Sequence, residues 1–314
     1  MRFTGKTKLE NCYAAENNLD LGMTDEDGKI CYNGNYYEYD EDVITILFMG
    51  IDKINKVKKG LTHLDGGCAD VLFLGIINTR TKTVKLLAIN RDSMVDIDVL
   101  NIKGEVRYTK PLQITLAHGY GLGLEDSCLN QCDAVSRLLY GIPINAYVSL
   151  NMGGVAALND AIGGVTLTSL DDIYIEDMEI DIAKDEEIHL TGKQAYFYVR
   201  FRDEAVYESA RIRLERQKQY VEEYCRQLLS NSLKDLSNIV NVYNAVDDYT
   251  VMNLSTDELV YLASMLIGYE FDFENIYSLE GSTYSNPETY HEEFTVDEDS
   301  TKKLILDLFY RQID

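Results

Sequence analysis

Residues 43–49 read Val43-Ile44-Thr45-Ile46-Leu47-Phe48-Met49, an unbroken run of β-branched and apolar side chains. Because a strand with one solvent-exposed face alternates apolar and polar residues, a continuous apolar run predicts a strand that is buried on both faces. Two similar, mostly apolar runs follow at residues 71–77 and 84–89. The turn at 78–81 between them is short enough for a hairpin. We expect these three strands to form the middle of one sheet.

The segments that follow alternate between helical and extended patterns. Residues 126–139 space their apolar side chains near 3.6 residues, which predicts a helix. Further along, the patterns predict a strand at 146–150, a helix from about residue 153, a strand at 165–168, helices at 211–230, 234–245 and 256–267, a strand near 276 and a closing helix at 298–310. This alternation predicts an α/β or α+β sandwich with the sheet between helical layers.

The chain divides into a short arm and one large domain. Residues 1–40 are polar and rich in Asn, Asp and Tyr, with the turn pairs Asp27-Gly28 and Asn33-Gly34, each of which suits a small hairpin. We interpret this segment as an N-terminal arm or linker. Since no Pro/Gly/Ser-rich linker interrupts the remainder, residues 41–314 are predicted to form one domain.

Composition excludes several classes of protein. With 314 residues and 46% hydrophobic side chains, the chain can bury roughly 75% of its unfolded surface and is globular. The excess of 53 acidic over 29 basic residues argues against binding nucleic acid, or anionic membranes broadly, because both need a basic face. No apolar window of about eighteen residues and no signal-peptide core are present. We expect either a cytoplasmic protein or an anchor outside this sequence.

Arginines gather in two neighbouring segments, Tyr198-Val199-Arg200-Phe201-Arg202 and Arg213-Leu214-Glu215-Arg216-Gln217. Planar guanidinium groups suit phosphate oxygens, so in a chain of net charge −24 this cluster predicts a phosphate site. Arg200 and Arg202 follow an apolar and aromatic run and are expected to lie near the core, where an unpartnered cation is costly. The alternative for residues 211–217 is an ordinary salt-bridged surface helix.

Three acidic residues stand at the ends of the predicted central strands. Asp52 follows the first strand, Asp70 opens the second, and Asp92 follows the third beside Arg91. Polar residues at such ends tend to meet at one rim of the sheet, where ligands bind. Asp52 and Asp70 suit Mg²⁺, which takes one or two carboxylates together with phosphate and water. The alternative is that each aspartate caps a turn or a helix.

An ordered set of motifs resembles one known family. The motifs are Gly50-Ile51-Asp52, Cys68-Ala69-Asp70-Val71, Asn90-Arg91-Asp92-Ser93, the segment from Gln113 to Gly121, Asn159 to Val165, Leu190 to Ala195, and the two arginine segments. In this order they resemble the LytR-CpsA-Psr family, over residues 43 to about 230.

The resemblance implies an extracytoplasmic phosphotransferase of Gram-positive bacteria. Such an enzyme moves a teichoic-acid-like or capsular glycopolymer from an undecaprenyl-pyrophosphate carrier to peptidoglycan, with Mg²⁺ assisting. The implied fold is an α-β-α sandwich, with a central mixed β-sheet flanked by helices and an apolar cavity for the polyprenyl chain. Family members normally begin with a membrane helix, so the resemblance implies a cell-membrane anchor that is missing from this sequence.

The resemblance also implies a role for each matching residue. Asp52 and Asp70 correspond to the metal-associated acids, and Asp70 is also a candidate to activate the sugar hydroxyl. Asp92 would support Arg91, one of the groups that would bind the pyrophosphate. Those groups are Arg91, Arg200, Arg202, Arg213 and Gln217.

Several positions depart from the family pattern. The family usually has Arg-Ser-Asp-Thr at residues 68–71 and Pro-Arg-Asp-Thr at residues 90–93, where this chain has Cys68, Ala69 and Asn90. The family commonly has an aspartate three residues before the position that matches Arg213, and this chain has Ala210 there. Two alternative functions therefore stay open: a polyprenyl-pyrophosphate phosphatase, in which water replaces the sugar, and a non-catalytic module that binds lipid or wall polymer.

Overall fold

The computed structural model describes residues 29–58, 65–203, 209–232, 235, 237–272, 275–288 and 291–313. The strands are β1 (Ile30–Tyr32), β2 (Asn35–Tyr39), β3 (Val43–Ile51), β4 (Ala69–Asn78), β5 (Thr83–Ile89), β6 (Met94–Leu100), β7 (Val106–Gln113), β8 (Ala146–Asn151), β9 (Val165–Thr168), β10 (Ile173–Ile175), β11 (Ile180–Ile182), β12 (Glu187–Leu190), β13 (Thr250–Met252), β14 (Glu270–Phe271), β15 (Tyr277–Ser278), β16 (Gly281–Ser285), β17 (Glu292–Val296) and β18 (Tyr310–Ile313). The helices are α1 (Leu116–Tyr120), α2 (Leu124–Leu138), α3 (Val155–Ala161), α4 (Gly192–Arg200), α5 (Ser209–Ser232), α6 (Ser237–Val246), α7 (Thr256–Leu266) and α8 (Glu298–Phe309).

A seven-stranded mixed sheet forms the centre of the fold. Its strand order is β13-β8-β3-β4-β5-β14, and β15 also pairs with β5. Strand β3 runs antiparallel to β4 and parallel to β8, and β4 runs antiparallel to β5. The three apolar runs are thus the middle of one sheet, as predicted, and β4 and β5 form the expected hairpin.

Both faces of the central sheet are covered by helices. Along β3, Leu47 and Met49 point to one face and join the large core that includes residues of α2 and α8. Ile46 points to the other face and packs in a cluster with Leu262 of α7. Each such buried side chain contributes roughly 1.5–3 kcal/mol to folding. The α-β-α sandwich predicted from the sequence is confirmed. Phe48, on the same face as Ile46, is 41% exposed.

A second cluster lies beside the central sheet, around α4 and α5. Two small antiparallel sheets, β9-β12 and β10-β11, pack against these helices and α3. Helix α4 begins with a capping box, in which the Thr191 side chain accepts from the Gln194 backbone and the Gln194 side chain accepts in return. The predicted strand at 165–168 is β9, and it pairs with β12 rather than with the central sheet.

The two ends of the described chain pair with each other. Asn33 and Gly34 adopt positive φ angles of 49° and 81°, and they form the predicted hairpin between β1 and β2. Strand β18 pairs with β2, so residues 36–39 of the arm lie against residues 310–313. The other turn pair, Asp27-Gly28, lies outside the described residues, and the domain boundary at residue 40 stays a prediction. Among the described helices, none combines the length and apolarity needed to cross a bilayer.

Candidate active site

The polar strand ends predicted from the sequence meet at one edge of the central sheet. Because β3, β4 and β5 are successively antiparallel, the end of β3, the start of β4 and the end of β5 lie side by side. Ile51 pairs with Ala69, and Leu72 pairs with Ile89. Asp70 and the residues that follow Ile51 and Ile89 therefore share this edge.

Asp70 joins the sheet edge to helix α5 through two arginines. Its Oδ1 lies 2.6 Å from an Nη of Arg91, and its Oδ2 lies 3.7 Å from an Nη of Arg213. The Thr115 hydroxyl also donates to Oδ1, at 3.3 Å. One carboxylate thus fixes two guanidinium groups that are more than a hundred residues apart in the sequence.

Asp92 is a second, buried carboxylate beside the same arginines. It accepts a hydrogen bond from Gln113 Nε2 at 3.0 Å and pairs with Arg91 Nε at 3.4 Å. Burial raises the pKa of Asp92, while the charges of Arg91, Arg213 and Arg202 act against that rise. The local turn depends on Asn90, whose side chain accepts from the Asp92 backbone N–H at 3.0 Å. Asn90 is therefore a turn residue at the position where the family usually has proline.

The buried Arg213 guanidinium lies in an electrostatically costly position. Burial lowers the pKa of Arg213, and the positive charges of Arg91 and Arg202 lower it further. Asp70 and Asp92 only partly offset these effects. A bound anion would stabilise this cation, because it would supply negative charge where water is excluded.

The two arginines at the end of α4, Arg200 and Arg202, do not lie in the core. Both Arg200 and Arg202 are exposed, so the expectation of core positions is wrong. Arg202 Nε donates to the Ser209 hydroxyl at 2.8 Å, and its charge acts on both Arg213 and Asp92. Arg200 instead donates to the Tyr196 hydroxyl at 2.9 Å and lies 5.5 Å from the centre of that ring.

Arg200 and Arg202 have different partners because they stand on either side of the end of α4. Arg200 is the last residue of the helix, and four-residue spacing places it on the same helix face as Tyr196. Arg202 lies beyond the helix end, where the chain has turned. The structure therefore brings Arg202 close enough to Arg213 and Asp92 for its charge to act on both, and it gives Arg200 a partner on α4 instead.

Gln217 and Arg216 tie α5 to the end of α4. Gln217 Nε2 donates to the Val199 carbonyl at 3.0 Å. Arg216, only 2% exposed, donates to the carbonyls of Tyr198, at 2.7 Å, and Phe201. Since the last carbonyls of a helix lack intrahelical partners, these donors satisfy groups that would otherwise be buried alone.

Arg216 completes this clamp with an ion pair, its Nε lying 3.0 Å from Asp171 Oδ2. Arg213, Arg216 and Gln217 are all buried, so the alternative of an ordinary salt-bridged surface helix is wrong for this face. Arg216 belongs to the arginine segment in the sequence but was not among the predicted site residues. Gln217 holds the backbone here, and its assignment to the pyrophosphate stays a prediction.

Asp52 is held on the other side of Asp70 by a tight loop. Its Oδ1 accepts from the Cys68 backbone N–H at 2.7 Å. Gly67 has a φ of 80°, and a Cβ there would come within 2.5 Å of Asp52 Oδ1, so this position requires glycine. The His118 ring fixes the loop, with Nδ1 2.9 Å from the Gly67 carbonyl. Burial lowers the pKa of His118, so the ring is neutral at pH 7 and acts as a structural donor.

The two acids give a partial ligand set for a metal ion. Within the described part of the chain, no group of three His, Cys, Asp or Glu side chains is placed to hold a metal. Asp70 already pairs with two arginines, and one oxygen of Asp52 binds a backbone N–H. Two carboxylates fit Mg²⁺ when phosphate oxygens and water complete the shell. The residues thus fit Mg²⁺ together with a phosphate ligand, and the metal role stays a prediction.

The Cys68 thiol lies close enough to Asp52 and Asp70 for both charges to act on it. Burial, followed by the charges of Asp52 and Asp70, raises the pKa of Cys68 to about 11. Because the thiolate is the reactive form, we expect iodoacetamide at pH 8 to alkylate Cys68 on the order of a hundredfold more slowly in the folded chain than in urea. The rate should rise as the pH approaches 11. Peptide mass mapping measures it, and equal rates in the folded and unfolded chain would contradict the electrostatic picture.

A cavity of about 600 Å³ opens near the start of α2. It is lined by Val57, Gly123, Leu124, Glu125, Asp126, Tyr243, Asp247, Thr250, Val251, Met252 and Leu254. This mixture of apolar and acidic side chains is not the purely apolar cavity expected for a polyprenyl chain. The prediction of a polyprenyl cavity stays untested.

Comparison with known proteins places the chain in a family. The model of the LytR_cpsA_psr family matches residues 10–304. The chain belongs to the LytR-CpsA-Psr family. Solved structures related to this LytR-CpsA-Psr chain share its fold: Bacillus subtilis TagV, with a TM-score of 0.65 and 23% identity, covers 85% of this chain and 96% of its own. The structure described as TagT bound to LI-WTA has a TM-score of 0.60 and 20% identity, with 85% and 91% covered.

Curated relatives of this LytR-CpsA-Psr chain are longer. The polyisoprenyl-teichoic acid–peptidoglycan teichoic acid transferase TagU of Enterococcus faecalis is 30% identical over 226 residues, which are 71% of this chain and 65% of the relative. Biofilm regulatory protein A of Streptococcus mutans is 26% identical over 249 residues, 77% of this chain and 57% of the relative. The chain thus spans less than two thirds of the length of either relative.

Proposed function

We propose that this LytR-CpsA-Psr protein is an extracytoplasmic phosphotransferase that moves a glycopolymer from a polyprenyl-pyrophosphate carrier to peptidoglycan. The observation that carries the proposal is the convergence of Arg91 and Arg213 on Asp70, in surroundings that disfavour the buried Arg213 cation. A relative of this chain carries the name of a teichoic acid transferase, which supports the same reaction class.

In this proposal the three neighbouring arginines bind the pyrophosphate. Arg91, Arg202 and Arg213 supply guanidinium donors, and each charge-assisted hydrogen bond to phosphate contributes roughly 1.5–3 kcal/mol. Asp70 and Asp92 hold two of these groups in fixed orientations before the substrate arrives. Such preorganised cations stabilise charge that develops during phosphoryl transfer.

Asp52 and Asp70 are the residues that would hold Mg²⁺ against the same phosphate oxygens. Bound there, the ion would neutralise negative charge on the pyrophosphate. Because both oxygens of Asp70 are already paired with arginines, we assign Asp70 first to holding Arg91 and Arg213. Its action on the acceptor hydroxyl is a second, separate proposal.

The reaction balances without a further co-reactant. The peptidoglycan hydroxyl oxygen forms a bond to the sugar-proximal phosphorus, and the bond from that phosphorus to the bridging oxygen breaks. Polyprenyl phosphate leaves with that oxygen, and the hydroxyl proton passes to the solvent. The exposed apolar face of Phe48, four residues before Asp52 in the chain, supports binding of an isoprenoid group near this edge of the sheet.

The test is product analysis with a short-chain prenyl-pyrophosphate-linked saccharide, in the presence and absence of peptidoglycan fragments. We expect prenyl phosphate to appear only with the acceptor, in equal amount to a new saccharide–peptidoglycan phosphodiester detected by mass spectrometry. Release of prenyl phosphate without an acceptor would instead assign a phosphatase. Binding of the donor with no release under any condition would assign a non-catalytic module.

A further inference from the structure

The hairpin formed by β6 and β7 extends from the candidate site to an exposed tip. Its base is part of the site, because Met94 pairs with Gln113, and Gln113 hydrogen-bonds to Asp92. At the tip, Ile102 is 86% exposed and Val106 is 55% exposed. Tyr108, two residues further along β7, is 44% exposed. The hairpin therefore presents apolar and aromatic side chains to the solvent.

The same hairpin concentrates positive charge in a strongly acidic protein. Residues 99–113 contain Lys103, Arg107 and Lys110 but a single acid, Glu105, in a chain of net charge −24. Arg107 and Lys110 each lie 6.0 Å from the centre of the Tyr108 ring. The tip is thus a cationic and aromatic surface.

The nearby acids of the hairpin do not cancel this charge at the tip. Asp98 is buried and pairs with Arg137, at 2.5 Å, and with Thr109 on the neighbouring strand. Asp96 lies nearer the base, opposite Pro111. Lysine and proline on an edge strand also prevent unwanted strand pairing. That role explains Lys110 and Pro111, but it does not require exposed apolar side chains at the turn.

A second hairpin shows that exposed apolar residues alone do not make such a surface. Tyr174, at 66%, and Met178, at 44%, are exposed around the β10-β11 hairpin. Residues 170–182 contain only acids among their charged side chains: Asp171, Asp172, Glu176, Asp177, Glu179 and Asp181. This hairpin is therefore a matched control with the opposite charge.

We propose that the tip of the β6-β7 hairpin docks on an anionic lipid surface. Apolar side chains with neighbouring lysines and arginines insert at the headgroup level, and tyrosine favours the same interface. A strand of seven residues spans roughly 20 Å, beyond the Debye length of about 8 Å at physiological salt. The carboxylates at the base of the hairpin are therefore screened at the tip.

This inference goes beyond the proposed function and does not depend on it, since lipid binding is measured without donor or acceptor. Docking of the tip would also set the orientation of the candidate site. Because the hairpin base holds Asp92 through Gln113, docking of the tip would fix the direction in which the site faces the lipid surface.

The chain contains no tryptophan, so a single introduced tryptophan reports on one position. In Tyr108→Trp, vesicles with equimolar phosphatidylglycerol and phosphatidylcholine should shift the fluorescence to the blue, and phosphatidylcholine alone should not. The control, Tyr174→Trp on the acidic hairpin, should show no shift with either vesicle. High salt should reverse the Tyr108→Trp shift.

Charge reversal tests the cations without altering the aromatic group. The triple variant Lys103→Glu, Arg107→Glu, Lys110→Glu should bind the anionic vesicles at least about tenfold more weakly in flotation, with an unchanged melting temperature. If this variant loses its fold, Ile102→Ser tests the exposed apolar side chain of the tip instead and should also weaken vesicle binding. The proposal is overturned by equal binding of the variants and the wild type, by equal shifts in both tryptophan variants, or by binding to insoluble peptidoglycan but not to vesicles.

Discussion

Asp70→Asn is expected to reduce the rate of glycopolymer transfer on the order of a thousandfold, with the chain still folded. The substitution keeps the shape of the side chain but removes the charge that holds Arg91 and Arg213. Without it, two guanidinium groups repel each other and leave the orientation needed to stabilise phosphoryl transfer, where one arginine is worth about a thousandfold or more. The rate is measured with the prenyl-pyrophosphate-linked donor and peptidoglycan fragments.

A matched control lies at the opposite end of β3. Asp40 is buried and pairs with Arg80 at 2.6 Å, so Asp40→Asn also removes the charge from a carboxylate–arginine pair. This variant should lower the melting temperature modestly and leave the transfer rate unchanged. If Asp70→Asn transferred the polymer at the wild-type rate, the Asp70 carboxylate would not organise the site.

Arg216→Ala is expected to lower the free energy of unfolding by about 3 kcal/mol. The substitution leaves the carbonyls of Tyr198 and Phe201 without their donor, leaves Asp171 without its partner, and opens a cavity under α5. Urea unfolding followed by circular dichroism measures the change. The control is Arg226→Ala on the same helix, where a partly exposed pair with Glu222 should contribute less than about 0.5 kcal/mol.

A structural role and a substrate-binding role predict opposite results for Arg216→Ala. As a structural clamp, its loss should destabilise the chain, and the transfer rate per folded molecule should fall only because Arg202 is less well held. If Arg216→Ala kept the wild-type stability but abolished transfer, Arg216 would bind the substrate and the clamp would be wrong.

The central strands were predictable because their signal is local. Residues 43–49, 71–77 and 84–89 are continuous apolar runs, and burial on both faces selects such runs in any context. The β6-β7 hairpin was missed because β7 is exposed on both faces and contains Pro111, so it lacks the pattern of a buried strand. Helix α4 was read as an apolar run, although its capping box, Thr191 with Gln194, is a sequence signal for a helix start.

The candidate site was predictable in its members but less so in their placement. Motif order identified Asp70, Arg91 and Arg213, which the structure brings together. Arg200 was expected in the core, and Arg216 was not included among the site residues, whereas the structure exposes the first and buries the second. Which elements pack against each side of α5 depends on tertiary packing.

One signal in α5 could have identified the buried arginine. The core-facing positions of this helix recur every three or four residues, as is typical of a helix packed on one side. Between residues 211 and 230 the buried ones are Arg213, Arg216, Gln217, Tyr220 and Tyr224, at positions i, i+3, i+4, i+7 and i+11. Arg216 therefore belongs to the same face as the tyrosines, and it could have been predicted to point inward.

The central claim is that Arg91, Arg202 and Arg213 surround one diphosphate group beside Asp52 and Asp70. The most direct test is a crystal structure with a short prenyl pyrophosphate and Mn²⁺ in place of Mg²⁺, located by its anomalous signal. The account predicts the diphosphate within hydrogen-bond distance of all three arginines, with the metal between the phosphate and the two aspartates. A diphosphate bound elsewhere, with Arg91 and Arg213 still paired only to Asp70, would contradict it.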